Sequence, residues 1–219
     1  MLTIANQFYL NKQQYSLYIM SGHQEEAHSA RKKILETALK LFSKKGYLGT
    51  TTREIAKEAG TAEVTIFRHF ISKEKLFEEV LNTYSFLPAL QGLLPEVVEM
   101  NYMEALTVIA ERFLDTLAAR KDIIKIMHIE IQRYPQKILK MYHAFIDEIF
   151  KTLASYFTTM QKKGVLREFN AETAARAFLG MLFSYFDVKE FLMWKKYRID
   201  DSDAIIKEFV DIFASGTMK

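Results

Sequence analysis

The chain has 219 residues, of which 49% are hydrophobic and 26% charged, and its formal net charge is +3. This composition supports a folded protein with a substantial core and excludes an intrinsically disordered chain. The sequence has no cysteine, which excludes a disulfide scaffold, a thiolate nucleophile and a cysteine-bound metal, and favours a reducing compartment, the cytoplasm by default.

The N-terminal extension, residues 1–28, contains apolar groups interrupted by polar ones. No continuous apolar stretch is long enough for a signal peptide or a membrane span. Two interpretations of the extension stay open. Either Met20 is the true start of translation and residues 1–19 lie upstream of it, or the extension is an extra amphipathic segment.

The next elements are short helices. Apolar residues at three- and four-residue steps predict a helix over 29–45, with Gly46 in position for a left-handed C-terminal cap. Thr51 and Glu54 have the spacing of a capping box, which predicts the start of a second helix. We expect this helix to end at Gly60.

A third helix follows the short turn Gly60-Thr61-Ala62, as a helix-turn-helix requires. We expect it to end at Phe70-Ile71-Ser72. Ser72 then caps a fourth helix, which begins at Lys73 and stops or bends near Pro88.

The rest of the chain predicts a larger helical domain. Pro88, Gly92 and Pro95 indicate a boundary between helices. Further helices are predicted over 101–119, 121–133, 135–163, 171–196 and 202–216. The expected fold is all-α with about nine helices, a helix-turn-helix domain over 29–76 and a larger domain over 77–219.

Charge is concentrated in the predicted helix-turn-helix domain. Residues 29–76 carry 11 Lys or Arg against 5 Glu, a local net charge of +6. Such a surplus suits a nucleic-acid surface, and a solvated helical face is the alternative.

Two sequence runs carry a family resemblance. ILETALKLFSKKGY and TTTREIAKEAGTAEVTIFRHFISKEKLF resemble the DNA-binding head of tetracycline-repressor-type (TetR family) transcriptional regulators. The resemblance is specific over about 50 residues and looser beyond, at Gln132-Arg133-Tyr134-Pro135, Lys163-Gly164-Val165-Leu166 and the helix at Phe209–Phe213. It implies a ligand-responsive regulator, a repressor in most of the family, that binds palindromic operator DNA as a homodimer and needs no cofactor.

The resemblance also implies site residues. A three-helix head would bury Leu41, Phe42, Ile55, Ala56, Ala59, Ile66 and Phe70, leaving the opposite face of residues 62–69 for the major groove. The matching positions imply base-edge contacts from Arg53, Glu63, Val64, Thr65 and Arg68. They imply contacts to the DNA backbone from Thr52, Phe67, His69 and Lys73.

Several of these positions leave alternatives open. Phe67 stands where the family usually has Tyr, so a phosphate-binding hydroxyl is missing. Ala62 stands where Ser commonly caps the helix, although Thr61 could cap one residue earlier. Glu63 either accepts from a cytosine amino group or faces solvent. His69 either contacts phosphate or donates to a local backbone carbonyl.

The larger domain is expected to dimerise and to bind a small molecule. The helices at 171–196 and 202–216 match the family's dimer helices, with candidate interface residues Phe178, Leu182, Phe186, Ile205, Phe209 and Phe213. The pocket for an apolar or amphipathic effector would be lined by Phe113, Met127, Ile131, Met141, Tyr142, Phe145 and Phe178. Its polar groups would come from His128, Glu130, Tyr142 and His143. The alternative is that these side chains are ordinary core.

Rival functions have less support. No HExxH, GxSxG, P-loop or GxGxxG pattern occurs, and five scattered histidines without cysteine make no metal-ligand spacing. We therefore expect no enzyme, no metal site and no membrane partner. The remaining alternative is a helical small-molecule-binding or scaffold dimer without specific DNA binding.

Overall fold

The molecule is all-helical in the part that the structure, a computed structural model, describes: residues 28–121, 124, 134–191 and 202–219. Its helices are α1 (28–45), α2 (Thr52–Ala59), α3 (Glu63–Phe70), α4 (Lys73–Tyr84), α5 (Phe86–Val97), α6 (Tyr102–Ala119), α7 (Gln136–Lys162), α8 (Ala171–Glu190) and α9 (Ser202–Thr217). Within these residues the one extended pairing is an isolated bridge between Leu166 and Met218. The predicted all-α fold is confirmed.

Some predicted elements lie outside the described residues. These are the N-terminal extension up to residue 27, most of the predicted helix at 121–133, and residues 192–196 at the end of the helix predicted over 171–196.

The helix ends in the head follow local sequence signals. Gly46 and Gly60 have positive φ, 70° and 67°, the conformation that glycine adopts without strain after a helix. The amide of Glu54 donates to Thr51 Oγ1 at 3.1 Å, which supplies one half of the predicted capping box. The amide of Lys75 donates to Ser72 Oγ at 3.2 Å, so Ser72 caps α4 as predicted.

The predicted boundary at the prolines is wrong. α4 ends at Tyr84, and α5 spans Phe86–Val97 with both Pro88 and Pro95 inside it. Ser85 caps α5, and Pro88 lies in its first turn, where the amide that proline lacks would have no helical partner. Pro95 lies close to the carboxyl end of the helix.

The head has its own buried cluster, formed by α1–α4. All seven predicted core residues of the head, from Leu41 to Phe70, are buried. The cluster continues past the predicted boundary at Leu76, through Leu81 on α4. It also takes in Tyr134 and Ile138, which precede and begin α7. The head and the larger domain therefore share apolar contacts.

The body, formed by α5–α9, has a second buried cluster. α7 packs against α8, and α6 packs against α5, α8 and α9. Phe157 of α7 and Phe178 of α8 are among its fully buried side chains. Within the described residues, no helix is long and apolar enough to cross a membrane.

Candidate nucleic-acid interface and effector cavity

The recognition helix α3 presents two different faces. Ile66 and Phe70 are buried against the head core, as predicted. On the opposite face Val64 is 73% exposed and Phe67 is 43% exposed, and Arg68 is also exposed. Val64 and Phe67 thus form a small exposed apolar surface next to Arg68.

The two arginines that are predicted to read bases have no carboxylate partner among the described residues. Arg53 on α2 and Arg68 on α3 are exposed and form no ion pair with the described residues. Most other cations of the head are paired, as in Lys40 with Glu58 at 3.6 Å and Arg31 with Glu79 at 2.5 Å. The two guanidinium groups are therefore available for an anionic or hydrogen-bonding partner. Thr65 on α3 is half-buried and therefore less exposed than either arginine.

Glu63 and Thr52 bind one another. The Thr52 hydroxyl donates to Glu63 Oε1 at 2.6 Å and so links the first turns of α2 and α3. The hydroxyl predicted to bind phosphate is thus engaged in this structure, and one carboxylate oxygen predicted to face DNA is fixed. Glu63 is half-buried and does not simply face solvent.

The start of α3 lacks a side-chain cap. Ala62 is the capping residue and forms no side-chain hydrogen bond, and the amide of Thr65 donates to the backbone carbonyl of Ala62 at 3.0 Å. Thr61 does not take over the role of the cap. An absent cap costs a helix about 1 kcal/mol.

The surroundings of His69 disfavour its protonated form. Its Nε2 is buried and has no hydrogen-bond partner among the described residues, so the alternative of a local backbone carbonyl partner is not seen at this atom. Burial, and then the charges of Arg68 and Arg31, lower the pKa of the imidazole. A phosphate at this position would act in the opposite direction on the pKa.

Lys73 packs on an aromatic ring. Its Nζ lies 4.2 Å from the centroid of the Tyr47 ring, and burial lowers the pKa of the ammonium. Burial, with Glu74 nearby, raises the pKa of the Tyr47 hydroxyl to about 12. The predicted phosphate contact would use an ammonium group positioned by the ring of Tyr47.

The sequence gives no indication of the unusual backbone conformation at Ile71. It has φ 64° and ψ −43°, and the amide of Ser72 donates to the carbonyl of Phe70 at 2.6 Å. These values describe a γ-turn with positive φ, which is rare and strained, above all for a β-branched residue. The side chain of Ile71 is 80% exposed, so packing does not impose the turn. A glycine would have been the sequence signal for it.

A cavity of about 580 Å³ lies in the body, and we call it the central cavity. It is bounded by α4 to α8, and its wall includes Tyr84, Phe86, Arg120, Phe150, Arg176 and Phe183. Its volume lies within the range of about 300–1,000 Å³ that is usual for small-molecule sites.

The structure separates the predicted pocket residues into groups. Phe113, Tyr142 and Phe145 lie on the wall of the central cavity, and so does His143. Met141 instead lines a separate cavity of about 360 Å³ between α4 and α7. Phe178 is fully buried in the body core and is not a wall residue. The other predicted residues, Met127, His128, Glu130 and Ile131, lie outside the described residues.

Four of the six predicted dimer residues face the interior of their own chain. Phe178, Leu182, Phe186 and Phe213 are buried in the single chain, so they are not exposed for direct contact with a partner. α8 is apolar around most of its circumference, and Phe178, Leu182 and Phe186 occupy its inward face. Phe213 lies on the inward face of α9. Ile205 and Phe209 are half-buried on α9, and Ile212 on the same helix is 57% exposed.

No group of three or more potential metal ligands occurs in the described part of the chain.

Comparisons with known proteins agree with this geometry. Residues 34–80 match the family described as bacterial regulatory proteins, tetR family. Residues 104–215 match the C-terminal domain of AefR-like transcriptional repressors. The HTH-type transcriptional regulator YvkB of Bacillus subtilis, itself uncharacterized, is 36% identical over 155 residues, which are 71% of this chain and 80% of YvkB.

Solved structures show the same fold. A TetR-family transcriptional regulator from Mesorhizobium loti matches with a TM-score of 0.69 and 24% identity, over 88% of this chain and 98% of that one. A transcriptional regulator from Saccharomonospora viridis, solved in complex with choline, matches with a TM-score of 0.59 and 23% identity, over 88% and 99% of the two chains. With a DNA-binding head and a helical body both matched, the chain belongs to the tetR family of transcriptional regulators.

Proposed function

We propose that the protein is a ligand-responsive transcriptional repressor that binds a palindromic operator as a homodimer. The observation that carries this proposal is the outward face of α3, where Val64, Phe67 and Arg68 are exposed beside a buried Ile66 and Phe70. Repression is supported by the match to a repressor C-terminal domain.

On DNA, α3 would lie in the major groove. The free guanidinium of Arg68 suits the O6 and N7 acceptors of guanine, and Val64 suits a thymine methyl group. Phe67 would pack on sugar or on a thymine methyl, since it has no hydroxyl for phosphate. Lys73 and His69 would contact the DNA backbone at the edge of the helix.

Dimerisation would use the outer faces of α8 and α9. Ile205, Phe209 and Ile212 form an apolar stripe on α9 with helical spacing. On α8 the exposed residues Ala177 and Ser184 have short side chains, which permit close approach of a second helix. A twofold axis through this surface would present two recognition helices to half-sites about 34–36 Å apart, or more widely spaced.

Effector binding would use the central cavity. Val80, Leu81 and Tyr84 of α4 contribute to its wall, and α4 follows the recognition helix directly. A bound molecule could therefore change the position of the head through α4 and bias the dimer between arrangements that fit the operator and arrangements that do not. The complex of the Saccharomonospora viridis neighbour with choline supports a small-molecule role for this fold.

Selection of bound duplexes from a random DNA pool by the full chain tests the proposal. We expect a palindromic sequence whose affinity falls steeply with salt. Arg68→Ala should then cost about 1–3 kcal/mol at the selected site and much less at unrelated sites. The matched control is Lys40→Ala, which removes a cation already paired with Glu58.

Two results of these binding experiments would contradict the proposed function or the proposed role of Arg68. If no sequence is enriched and affinity is insensitive to salt, the scaffold alternative replaces the repressor. If Arg68→Ala weakens all duplexes equally, Arg68 contacts the DNA backbone and does not read a base.

A further inference from the structure

The two arginines of the central cavity are in different electrostatic states. Arg176 Nη2 lies 2.6 Å from Asp147 Oδ1, and its guanidinium covers the Phe150 ring at 4.5 Å. Arg120 has no carboxylate within ion-pair distance among the described residues. Its Nε donates to the backbone carbonyl of Tyr84 at 3.3 Å, and its guanidinium lies 5.0 Å from the centroid of the Tyr84 ring. Within the described part of the chain, one positive charge on the cavity wall is thus left without an anion.

We propose that the central cavity binds an amphipathic monoanion, an apolar body with a single carboxylate or similar acidic head, and that Arg120 binds the head. This inference rests on the proposed function, in which the cavity holds the effector. Apolar and aromatic side chains form most of the wall, so the body of the ligand is desolvated while its charge meets the guanidinium. Arginine presents several N–H donors in a plane, which suits a carboxylate.

A cationic ligand fits the described wall less well. Asp147 is its one carboxylate, and that carboxylate is already neutralised by Arg176. Two aromatic faces that could hold a cation, those of Tyr84 and Phe150, are covered by the protein's own guanidinium groups. A cation would therefore meet the charge of Arg120 with neither a free carboxylate nor these rings to offset it.

The same guanidinium connects the ligand to the head. Tyr84 is the last residue of α4, and Lys73, its first residue, follows the turn that ends the recognition helix. A charged acceptor binds an N–H more strongly than a neutral carbonyl does. The acidic head and the carbonyl of Tyr84 would share the donors of Arg120, so ligand binding would shift the guanidinium that holds the carboxyl end of α4. Ligand and operator are coupled through one side chain.

The test compares three probes with the same ten-carbon chain: decanoate, decanol and decyltrimethylammonium. Each is titrated below its aggregation concentration into the full-length chain by calorimetry. We expect decanoate to bind about 10- to 100-fold more tightly than the other two. Arg120→Gln should remove this preference without weakening decanol, and Arg120→Lys should keep part of it. The matched control is Lys121→Gln, a neighbouring cation paired with Glu190 at 3.7 Å, which should change nothing.

The coupling between decanoate binding and operator binding is measured on the same protein preparations. Decanoate should shift operator affinity by about 5- to 150-fold, and operator DNA should shift decanoate affinity by the same factor. In Arg120→Gln both shifts should disappear.

Equal affinities for the three probes, tighter binding of the ammonium, or a decanoate preference that survives Arg120→Gln would each overturn the inference. The first two outcomes are measured with the protein of unaltered sequence, so a folding defect of the Arg120→Gln variant does not affect them. Selection of an operator by the same chain would then leave the proposed DNA-binding function intact. A chain that selects no operator would reject the proposed function itself, whatever the order of the three affinities.

Discussion

The hydroxyl of Thr52 donates to the carboxylate of Glu63 at 2.6 Å and connects the amino-terminal turns of α2 and α3. This bond orients the carboxylate and leaves its second oxygen for another donor. A cytosine amino group is a donor of the right kind in the major groove. We therefore predict that Glu63→Gln lowers affinity selectively, by about 1–3 kcal/mol for operators with cytosine at one position.

The measurement is operator affinity for a set of duplexes that differ at single positions. Thr52→Val, which removes the hydroxyl and keeps the shape of the side chain, should reduce the same discrimination by a smaller amount. A uniform gain in affinity for all duplexes in Glu63→Gln would show that the carboxylate only repels phosphate.

The strained turn at Ile71 predicts a stabilising substitution. A residue held at such a φ costs about 1–3 kcal/mol, and the exposed side chain of Ile71 loses little contact when it is removed. Because glycine costs about 0.5–1 kcal/mol in the unfolded chain, Ile71→Gly should raise the free energy of unfolding by about 1 kcal/mol. Urea denaturation measures this change.

Ile71→Ala is the matched control for this substitution. It removes the branched side chain but keeps a Cβ at positive φ, so a smaller gain is expected. A loss of stability in both variants would mean that the side chain of Ile71 has contacts that compensate for its backbone.

The depressed pKa of His69 predicts the sign of a pH dependence. In the free protein the imidazole titrates below the ordinary value of about 6.5, whereas a phosphate contact would raise its pKa. Binding would then take up a proton, so operator affinity should increase as the pH falls from 8 through 6.5, by up to about tenfold per pH unit for each recognition helix. Titrations of operator DNA at several pH values measure this slope.

Folding should respond to pH in the opposite direction. The unfolded chain protonates His69 more readily than the folded one, so the contribution of the neutral imidazole to stability is present above about pH 6.5 and is lost as the pH falls toward the lowered pKa. His69→Gln should flatten both dependences. An unchanged affinity slope in that variant would assign the effect to another group.

The apolar stripe on α9, of which Ile212 is the exposed member, predicts a substitution that would separate the subunits of the proposed dimer. Ile212→Glu would place two charges in a symmetric interface, which should weaken dimerisation by about 3 kcal/mol or more while leaving the fold of the monomer intact. Sedimentation measures the oligomeric state, and thermal unfolding checks the fold. Met100→Glu changes an equally apolar, 39% exposed residue away from the stripe and should have no such effect. A dimer that survives Ile212→Glu would move the interface elsewhere.

The head was predictable because its signals are local. Gly46, Gly60, Thr51 and Ser72 act within four residues of their own positions, and the spacing of Ile66 and Phe70 identifies the buried face of a short helix. The γ-turn at Ile71 was missed because isoleucine gives no indication of positive φ.

The body was harder to predict because its decisive contacts join distant residues. Arg120 separates two predicted helices in the sequence, and its partner Tyr84 lies 36 positions earlier. In α8, Phe178 and Leu182 belong to a helix with apolar residues on more than one side, and composition cannot tell which side packs within its own chain. Pro88 and Pro95 predict a boundary between helices, although a proline in the first turn of a helix, such as Pro88, costs no hydrogen bond.

The contact of Tyr134 and Ile138 with the head cluster has a consequence for folding. The centroid of the Tyr134 ring lies 6.2 Å from that of Tyr47 and 6.5 Å from that of Phe77. A fragment that stops after α4 would therefore expose the rings of Tyr47 and Phe77 to water. We therefore expect that the head does not fold on its own and that it unfolds together with the body in a single cooperative transition.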